Sequence, residues 1–285
     1  MVASIIITAY NRPELLKRAL KNVLNQTYKD YEVIVVDDCS DVALEVPQGV
    51  RLIRHIFNKG LSAARNTGIK AAKGTFICTL DDDNELSPDF LSRTIQEIGD
   101  YDAVAVGRTI RYKDFSDYVV PKAGKFMSLD WGILFKREVF DKIQYDEALR
   151  ANEDSDMGLQ FYNAGLRMNV LSEPLTIAYD AENPRESLSW PSERELDGMK
   201  KFFNKNQHEY TEPKERWCLY RLMARKFYRG GHRLVGLRFM GRGFMFYPNP
   251  RSFAHLLFLC LGWKVYDSFM SIEEKVAAKK RLLRD

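Results

Sequence analysis

Three consecutive carboxylates, Asp81, Asp82 and Asp83, follow the apolar run 75–80 and stand just ahead of Ser87-Pro88. Adjacent aspartates repel one another, and partial burial adds a desolvation cost. A divalent cation removes that cost. Hard cations such as Mg2+ or Mn2+ take oxygen ligands, and Mg2+ commonly sits on one or two carboxylates plus substrate phosphates. The triplet reads as a metal–diphosphate site, against the plainer reading of a solvated acidic turn before a helix. A second acidic set, Asn152-Glu153-Asp154-Ser155-Asp156, opens a helical pattern. Carboxylates in a first turn complement the helix dipole and cap free N–H groups. That role suits Asp156; for Glu153 and Asp154 the spacing leaves both roles open. Four cysteines and four histidines are scattered without a CxxC pair or a metal-ligand spacing. The pattern argues for reduced thiols, against a zinc site or a disulfide frame, and for histidines that are structural or exposed.

The elements that must position these acids alternate in type. Strands are expected at 4–9, 32–36, 50–55, 75–80 and 101–109, and helices at 13–24, 61–72 and 88–98, the last with Ser87 as N-cap and Pro88 as first helical residue. Such βαβ alternation predicts a parallel, doubly wound α/β sheet with helices on both faces. Ligands of these sheets lie outside the carboxyl ends of the strands. Here those ends are Tyr10-Asn11-Arg12, Asp37-Asp38-Cys39-Ser40 and the Asp81 triplet, three polar segments on one edge. No GxGxxG follows the first strand and no GxxxxGK[ST] occurs, which disfavours a dinucleotide site and excludes a P-loop. A strand is expected over 131–135, with Gly132 where something approaches the backbone. A helix is expected from 152 to about 164.

Beyond residue 186 the character changes. Residues 1–196 hold 24 Lys+Arg and 31 Asp+Glu, a net of −7, whereas 197–285 hold 19 and 8, a net of +11. Helices are expected at 191–206, 214–228, 231–246, 252–270 and 272–283, with arginines interleaved among aromatics. Basic helices of this kind suit an anionic membrane surface; the competing reading is a helical subdomain with inward aromatics and a solvated basic face. Nucleic-acid signatures are absent, so no nucleic-acid partner is expected. The chain start lacks the pattern of a signal peptide, and no run of 18 apolar residues exists. The expected layout is a catalytic domain over 1–186 and a basic, aromatic-rich helical region over 187–285, cytoplasmic and peripheral on the inner face of the cell membrane.

Six segments in order, over roughly residues 3–180, resemble the family 2 glycosyltransferases of the GT-A fold. They are Ile7-Thr-Ala-Tyr-Asn-Arg12, Ile34-Val-Val-Asp-Asp-Cys-Ser40, Asn58-Lys-Gly-Leu-Ser-Ala-Ala-Arg-Asn-Thr-Gly68, Gly74-Thr-Phe-Ile77, Leu80-Asp-Asp-Asp-Asn84, and Tyr145-Asp-Glu-Ala-Leu149 with Glu153-Asp154. The resemblance implies an inverting transferase of polysaccharide or cell-envelope biosynthesis. It would use a nucleotide-diphosphate sugar, usually UDP-linked, with Mn2+ or Mg2+, and pass the sugar to a glycan or lipid-linked acceptor. It places Ala9, Tyr10 and Arg12 at the base and ribose, and Asp38 as acceptor for the uracil N–H. Gly60, Arg65 and Asn66 would line the nucleotide. Asp83 would be the metal ligand, with Asp82 or Asp81 near the ribose. Asp154 would be the catalytic base, Glu153 the alternative base, and Trp131 and Gly132 would lie on the acceptor side. The Gln-x-x-Arg-Trp element of processive synthases is lacking: Arg216-Trp217 is present, but Pro occupies position 213. A non-processive enzyme is expected. Two competing functions are a catalytically silent sugar-nucleotide-binding scaffold and a nucleotidyltransferase; the second would need a Gly-rich basic loop where Ala9-Tyr10-Asn11-Arg12-Pro13 stands.

Overall fold

A computed structural model of the chain describes residues 2–111, 116–130, 132–179, 192–262 and 264–270. The chain divides into two compact units, Met1–Ser187 and Leu188–Asp285. In the first, the strands β1 (Ala3–Ala9), β2 (Tyr31–Asp37), β3 (Arg51–Arg54) and β4 (Phe76–Asp81) pair in parallel in the order β3-β2-β1-β4. The helices α1 (Pro13–Val23) and α2 (Leu61–Ala71) supply crossovers between them. The interior strands are apolar throughout because both faces are covered: every residue of β1 is buried. One face packs Leu16, Leu20 and Val23 of α1 against Ile5 and Ile7; the other packs Ala64 and Ile69 of α2 against Ile6 and Val36. Gly68 of α2 lets that helix sit directly on Ile6, whose Cγ2 a Cβ there would overlap.

Beyond β4 the sheet departs from the parallel order expected for an unbroken βαβ series. The strand expected at 101–109 is β6 (Ala103–Arg111), but it does not lie beside β4. Between them runs β8 (Ile133–Lys136), antiparallel to both. β6 pairs in parallel with β9 (Met168–Tyr179) and antiparallel with β7 (Ser116–Val119), and the two-residue β5 (Glu85–Leu86) closes the edge on β9. The helix expected at Pro88 is shorter: α3 is Phe90–Glu97, with Asp89 at its N-cap position. Ser87 lies three residues ahead of Phe90 and is not the cap; its N–H donates to Leu175 O at 2.8 Å and its carbonyl accepts from Gln26 Nε2 at 2.7 Å and from the Phe90 N–H at 2.9 Å, so a turn precedes the helix. The helix opening at the second acidic set is α4 (Glu153–Asn163).

The second unit is helical: α5 (Glu193–Asn206), α6 (Pro213–Arg229), α7 (Arg233–Phe246) and α8 (Pro250–Cys260), with a further helical stretch at 264–270. The single helix expected over 252–270 is broken at Gly262, whose φ of +115° is strained for any residue with a side chain. Trp217, Tyr220, Phe227 and Tyr228 of α6 are buried, so its aromatics build a core. Among the described residues no helix is long and apolar enough to cross a membrane. The helix expected at 272–283 lies outside the described residues.

Candidate active site

Register brings the acids together. Ala9 stands opposite Asp37 and Thr8 opposite Asp81, so β1, β2 and β4 end level on one edge. There the chain leaves the sheet through left-handed residues, Asn11 at φ 55° and Cys39 at φ 67°. Asn11 is tied to the neighbouring strand end, its N–H donating to Ser40 Oγ at 2.9 Å and its Oδ1 accepting the Asp41 N–H at 2.7 Å.

Asp38 is buried, and its oxygens accept from the N–H groups of Lys59 (2.8 Å) and Gly60 (2.7 Å) and meet His55 Nδ1 at 2.7 Å. His55 reaches on to Thr67 Oγ1 at 2.9 Å. The Asp38 carboxylate thus fixes the turn that opens α2, with one of its roughly four acceptor positions still to fill. In that turn Gly60 has φ +93°, and the space a Cβ would take is filled by the Arg150 guanidinium.

Arg65 is the centre of the site. It is 2% exposed, donates to Asp81 Oδ1 at 2.8 Å and to Glu153 Oε1 at 3.1 Å, and lies over the buried Tyr145 ring at 5.1 Å. One guanidinium thereby joins the two acidic sets, 72 residues apart in sequence. Burial alone would lower its pKa, but Asp81, Tyr145 and Glu153 outweigh it and hold the group firmly cationic. Asn66 does not join it: its amide donates to Tyr145 O (2.9 Å) and Glu147 (3.0 Å), pinning the strand-to-helix connection instead of facing the cleft.

Arg12 also departs from expectation. Rather than standing only by a base and ribose, its Nη1 lies 3.2 Å from Asp82 Oδ1 and 3.1 Å from Asp83 Oδ2. Burial pushes the Asp82 carboxyl up to about 7, with Arg12 opposing and Asp83 and Asp81 assisting. Asp83 is shifted in the same direction, by burial first and then by Asp81, although its side chain is 40% exposed. Asp82 has a folded-state value above its unfolded one. The stability of its neutral form is therefore present at low pH and lost as pH rises through about 7. Asp82→Asn is expected to gain stability over the parent, in the nucleotide-free protein, as the buffer is moved from about pH 4 to about pH 8. Urea midpoints across that range check it; a constant difference would mean that Asp82 ionises normally.

On the far side, Asn152 at φ 62° turns the chain into α4, and its carbonyl accepts the Asp156 N–H at 3.1 Å. Asp156 is buried in the first turn of α4, where its charge complements the helix dipole as expected, and it accepts from Gln160 Nε2 at 2.7 Å. Glu153 is buried on Arg65; burial raises its pKa, Arg65 opposes and Asp154 adds to the rise. Asp154 is more open: Oδ1 accepts the Ser155 N–H at 2.8 Å and Oδ2 accepts from Ser128 Oγ. Ser128 is delivered by the segment 127–130, whose Leu129 N–H donates to Asp154 O at 3.0 Å. Gly158 permits that approach, since a Cβ there would strike Met127 O.

The same segment carries Asp130, paired with both terminal nitrogens of Arg108 at 2.8 and 2.9 Å. A cavity of about 260 Å3 opens beside this pair, lined by Arg108, Lys122, Phe126, Ser128, Asp130 and Val119 among others. Gly132 has φ +67°, and what approaches its backbone is Thr176, whose Cγ2 would lie 2.7 Å from a Cβ. Trp131 lies outside the described residues. A second hollow of about 300 Å3 is lined by Asn11, Pro13 and Asp41 to Leu44; Tyr10 is exposed. Sequence reasoning missed His55, Arg108, Ser128, Asp130 and Arg150. None belongs to a local pattern; only their spatial partners mark them.

Among the described residues no group of three or more His, Cys, Asp or Glu side chains could hold a metal ion by itself. The hard, partly exposed oxygen donors of Asp83 fit a cation that brings most of its ligands from a diphosphate.

A mixed sheet whose parallel strands end level, with Asp81 at a strand end and Glu153 at the start of α4 on either side of one buried arginine, has the architecture of the GT-A nucleotide-sugar transferases. Residues 4–173 match Glycosyl transferase family 2, and the chain belongs to that family. It is 30% identical over 227 residues to the uncharacterized glycosyltransferase EpsJ of Bacillus subtilis, across 69% of this chain and 65% of that one. It is 32% identical over 181 residues to the succinoglycan biosynthesis protein ExoO of Rhizobium meliloti, 52% of either chain. With the GalNAc(5)-diNAcBac-PP-undecaprenol beta-1,3-glucosyltransferase of Campylobacter jejuni it shares 28% identity over 179 residues, 53% of this chain and 56% of that one. The matched regions thus span about half to two thirds of these relatives. TarS 1-349 of S. aureus in complex with UDP-GlcNAc has the same fold, with a TM-score of 0.61 at 17% identity over 98% of this chain and 92% of that one.

Proposed function

We propose that the protein moves one sugar at a time, with inversion, from a UDP-sugar to a hydroxyl of a glycan or lipid-linked acceptor. The observation that carries this reading is the Arg65 bridge, which sets the strand-end aspartates beside Glu153-Asp154. The relatives point the same way: one is named for succinoglycan synthesis, one for glucosyl transfer to an undecaprenol-linked glycan, and TarS holds UDP-GlcNAc.

Ala9 and Tyr10 border the base and ribose, and the remaining acceptor position of Asp38 suits a ring N–H. Asp83 would hold Mn2+ or Mg2+ together with the donor's phosphates, and the bound cation would neutralise the charge of the departing diphosphate. Asp154 accepts the proton of the acceptor hydroxyl as it attacks. Ser128 and the Ser155 N–H fix the orientation of that carboxylate, so its proton-accepting edge is set before the acceptor arrives. Glu153 is the weaker candidate, because Arg65 already occupies it. A single displacement needs one base and no acid, since the leaving diphosphate requires no proton. The cavity lined by Ser128, Asp130 and Arg108 is the acceptor side. The site works at the anionic inner face of the cell membrane, to which residues 197–285 attach it.

A screen of nucleotide sugars by thermal shift and donor hydrolysis, with Mn2+ present, tests the reading. A UDP-sugar is expected to raise the melting temperature and to be slowly hydrolysed. Consumption of a nucleoside triphosphate with release of pyrophosphate would make the protein a nucleotidyltransferase. Binding without turnover across a broad acceptor panel would leave a scaffold.

A further inference from the structure

The second unit contains a long stretch without acids. From Arg216 to Tyr266 the chain holds ten Lys and Arg and no Asp or Glu over 51 residues. Most of the α6 aromatics are turned inward, so the outward chemistry of this stretch belongs to α7 and α8. On α7, Leu234, Arg238, Arg242 and Met245 recur at helical spacing and are exposed, Leu234 and Met245 at 73% each. The opposite side of α7 is buried through Gly236, Met240 and Gly243. On α8 and its C-cap, Phe253, Leu257 and Leu261 follow at i, i+4 and i+8 and are 54%, 45% and 60% exposed, while Ser252, His255 and Leu259 face inward. The two helices are neighbours, with the rings of Phe244 and Phe253 6.1 Å apart. Solvated helices of a globular unit place charge, not Leu and Phe, on their outer stripe.

We propose that the outer face of α7 and α8 is the membrane-contacting surface, with Phe253, Leu257, Leu261 and Met245 entering the interface of an anionic bilayer and Arg238 and Arg242 meeting its phosphates. Three arguments fix the occupant. The apolar stripe matches the hydrocarbon boundary and the basic side chains match anionic headgroups, the pattern of an interfacial helix. The 11 residues of α8 reach only about 16 Å, so the helix lies on the bilayer and does not span it. A second copy fits badly: a two-fold contact through this face would set arginines against arginines with no acid in the stretch to pair them. The proposal rests on the membrane location given above and not on the transfer chemistry.

The test is vesicle co-sedimentation of the full chain, with phosphatidylcholine alone and with phosphatidylcholine mixed with phosphatidylglycerol. The parent protein is expected to pellet only with the anionic mixture. Arg238→Gln with Arg242→Gln should bind about 30-fold more weakly, the effect of two interfacial charges. Leu257→Ser with Leu261→Ser should also lose binding, while Lys70→Gln with Lys73→Gln, exposed in the first unit, removes the same charge and should not. All variants should keep the parent melting temperature and its shift with the donor found by screening. That separates failure of this surface from failure of the transferase reading. Four results would overturn the proposal: no sedimentation with anionic vesicles, equal loss in the Lys70 and Lys73 variant, full binding by the Leu257 and Leu261 variant, or concentration-dependent dimers lost in the face variants.

Discussion

Asp154→Asn is expected to lower turnover by about 10²–10⁴-fold, the range for removing a general base, and to leave the UDP-induced thermal shift unchanged. The carboxamide keeps the shape of the side chain, and its oxygen can still accept the Ser155 N–H that now bonds Oδ1 at 2.8 Å. The basic lone pair on the other oxygen, held in place by Ser128, is lost. Asp38, Arg65 and Asp83, proposed above for the donor side, bond to groups other than Asp154 and should bind nucleotide as before. Glu153→Gln is the control. Because Glu153 is buried against Arg65, its amide breaks an ion pair and should cost stability along with activity. If Asp154→Asn turned over at the parent rate while Glu153→Gln stayed folded and inert, the base would be Glu153 and not Asp154.

The parts of this site that were legible in the sequence share one physical origin. Strands buried on both faces become apolar runs, and polar residues that interrupt such runs at the carboxyl edge stand out by contrast. Asp38 and the Asp81–Asp83 triplet were visible for that reason, and the local order of β1, α1, β2, β3, α2 and β4 with them; Glu153-Asp154 stood out only as acids opening a helical pattern and through the family resemblance. What periodicity does not encode is which strand lies beside which. β8 enters between β4 and β6 because of long-range antiparallel pairing, and Ser128 and Asp130 arrive with the loop ahead of it. Arg12 shows the same limit at the scale of one side chain. Its position in the chain is next to Ala9 and Tyr10, proposed above to border the base, but its guanidinium is long enough to reach Asp82 and Asp83 across the strand ends. In the second unit the helices could be read from their periods, yet the aromatics among their arginines were readable either as a belt facing lipid or as a core. Burial of Trp217, Tyr220 and Phe227 decides for the core on α6 and leaves α7 and α8 with the exposed apolar stripe.

Arg65→Met is expected to destabilise the fold by about 3–5 kcal/mol, the cost of leaving buried charge without its partner. The size follows from where the arginine sits. It is almost wholly enclosed, and it is the cationic partner of Asp81 Oδ1 at 2.8 Å and of the buried Glu153. Methionine fills much of the volume and stacks on Tyr145, so packing is largely kept and the loss is electrostatic. A triple variant, Arg65→Met with Asp81→Asn and Glu153→Gln, removes all three charges and should recover most of the stability, because no uncompensated ion remains. The pH dependence separates this account from a simple cavity. Glu153 already has a raised pKa with Arg65 opposing the rise, and without the arginine it rises further. The folded state then favours the protonated acid, so stability is kept at low pH and lost as pH rises through the folded-state value. The deficit of Arg65→Met against the parent should therefore be small near about pH 4 and largest near about pH 8. Urea unfolding of the three proteins across that range decides the matter. A pH-independent deficit in the single variant, or a triple variant no more stable than the single one, would mean that Arg65 acts through packing and not as the counter-charge that lets two acidic sets share one cleft.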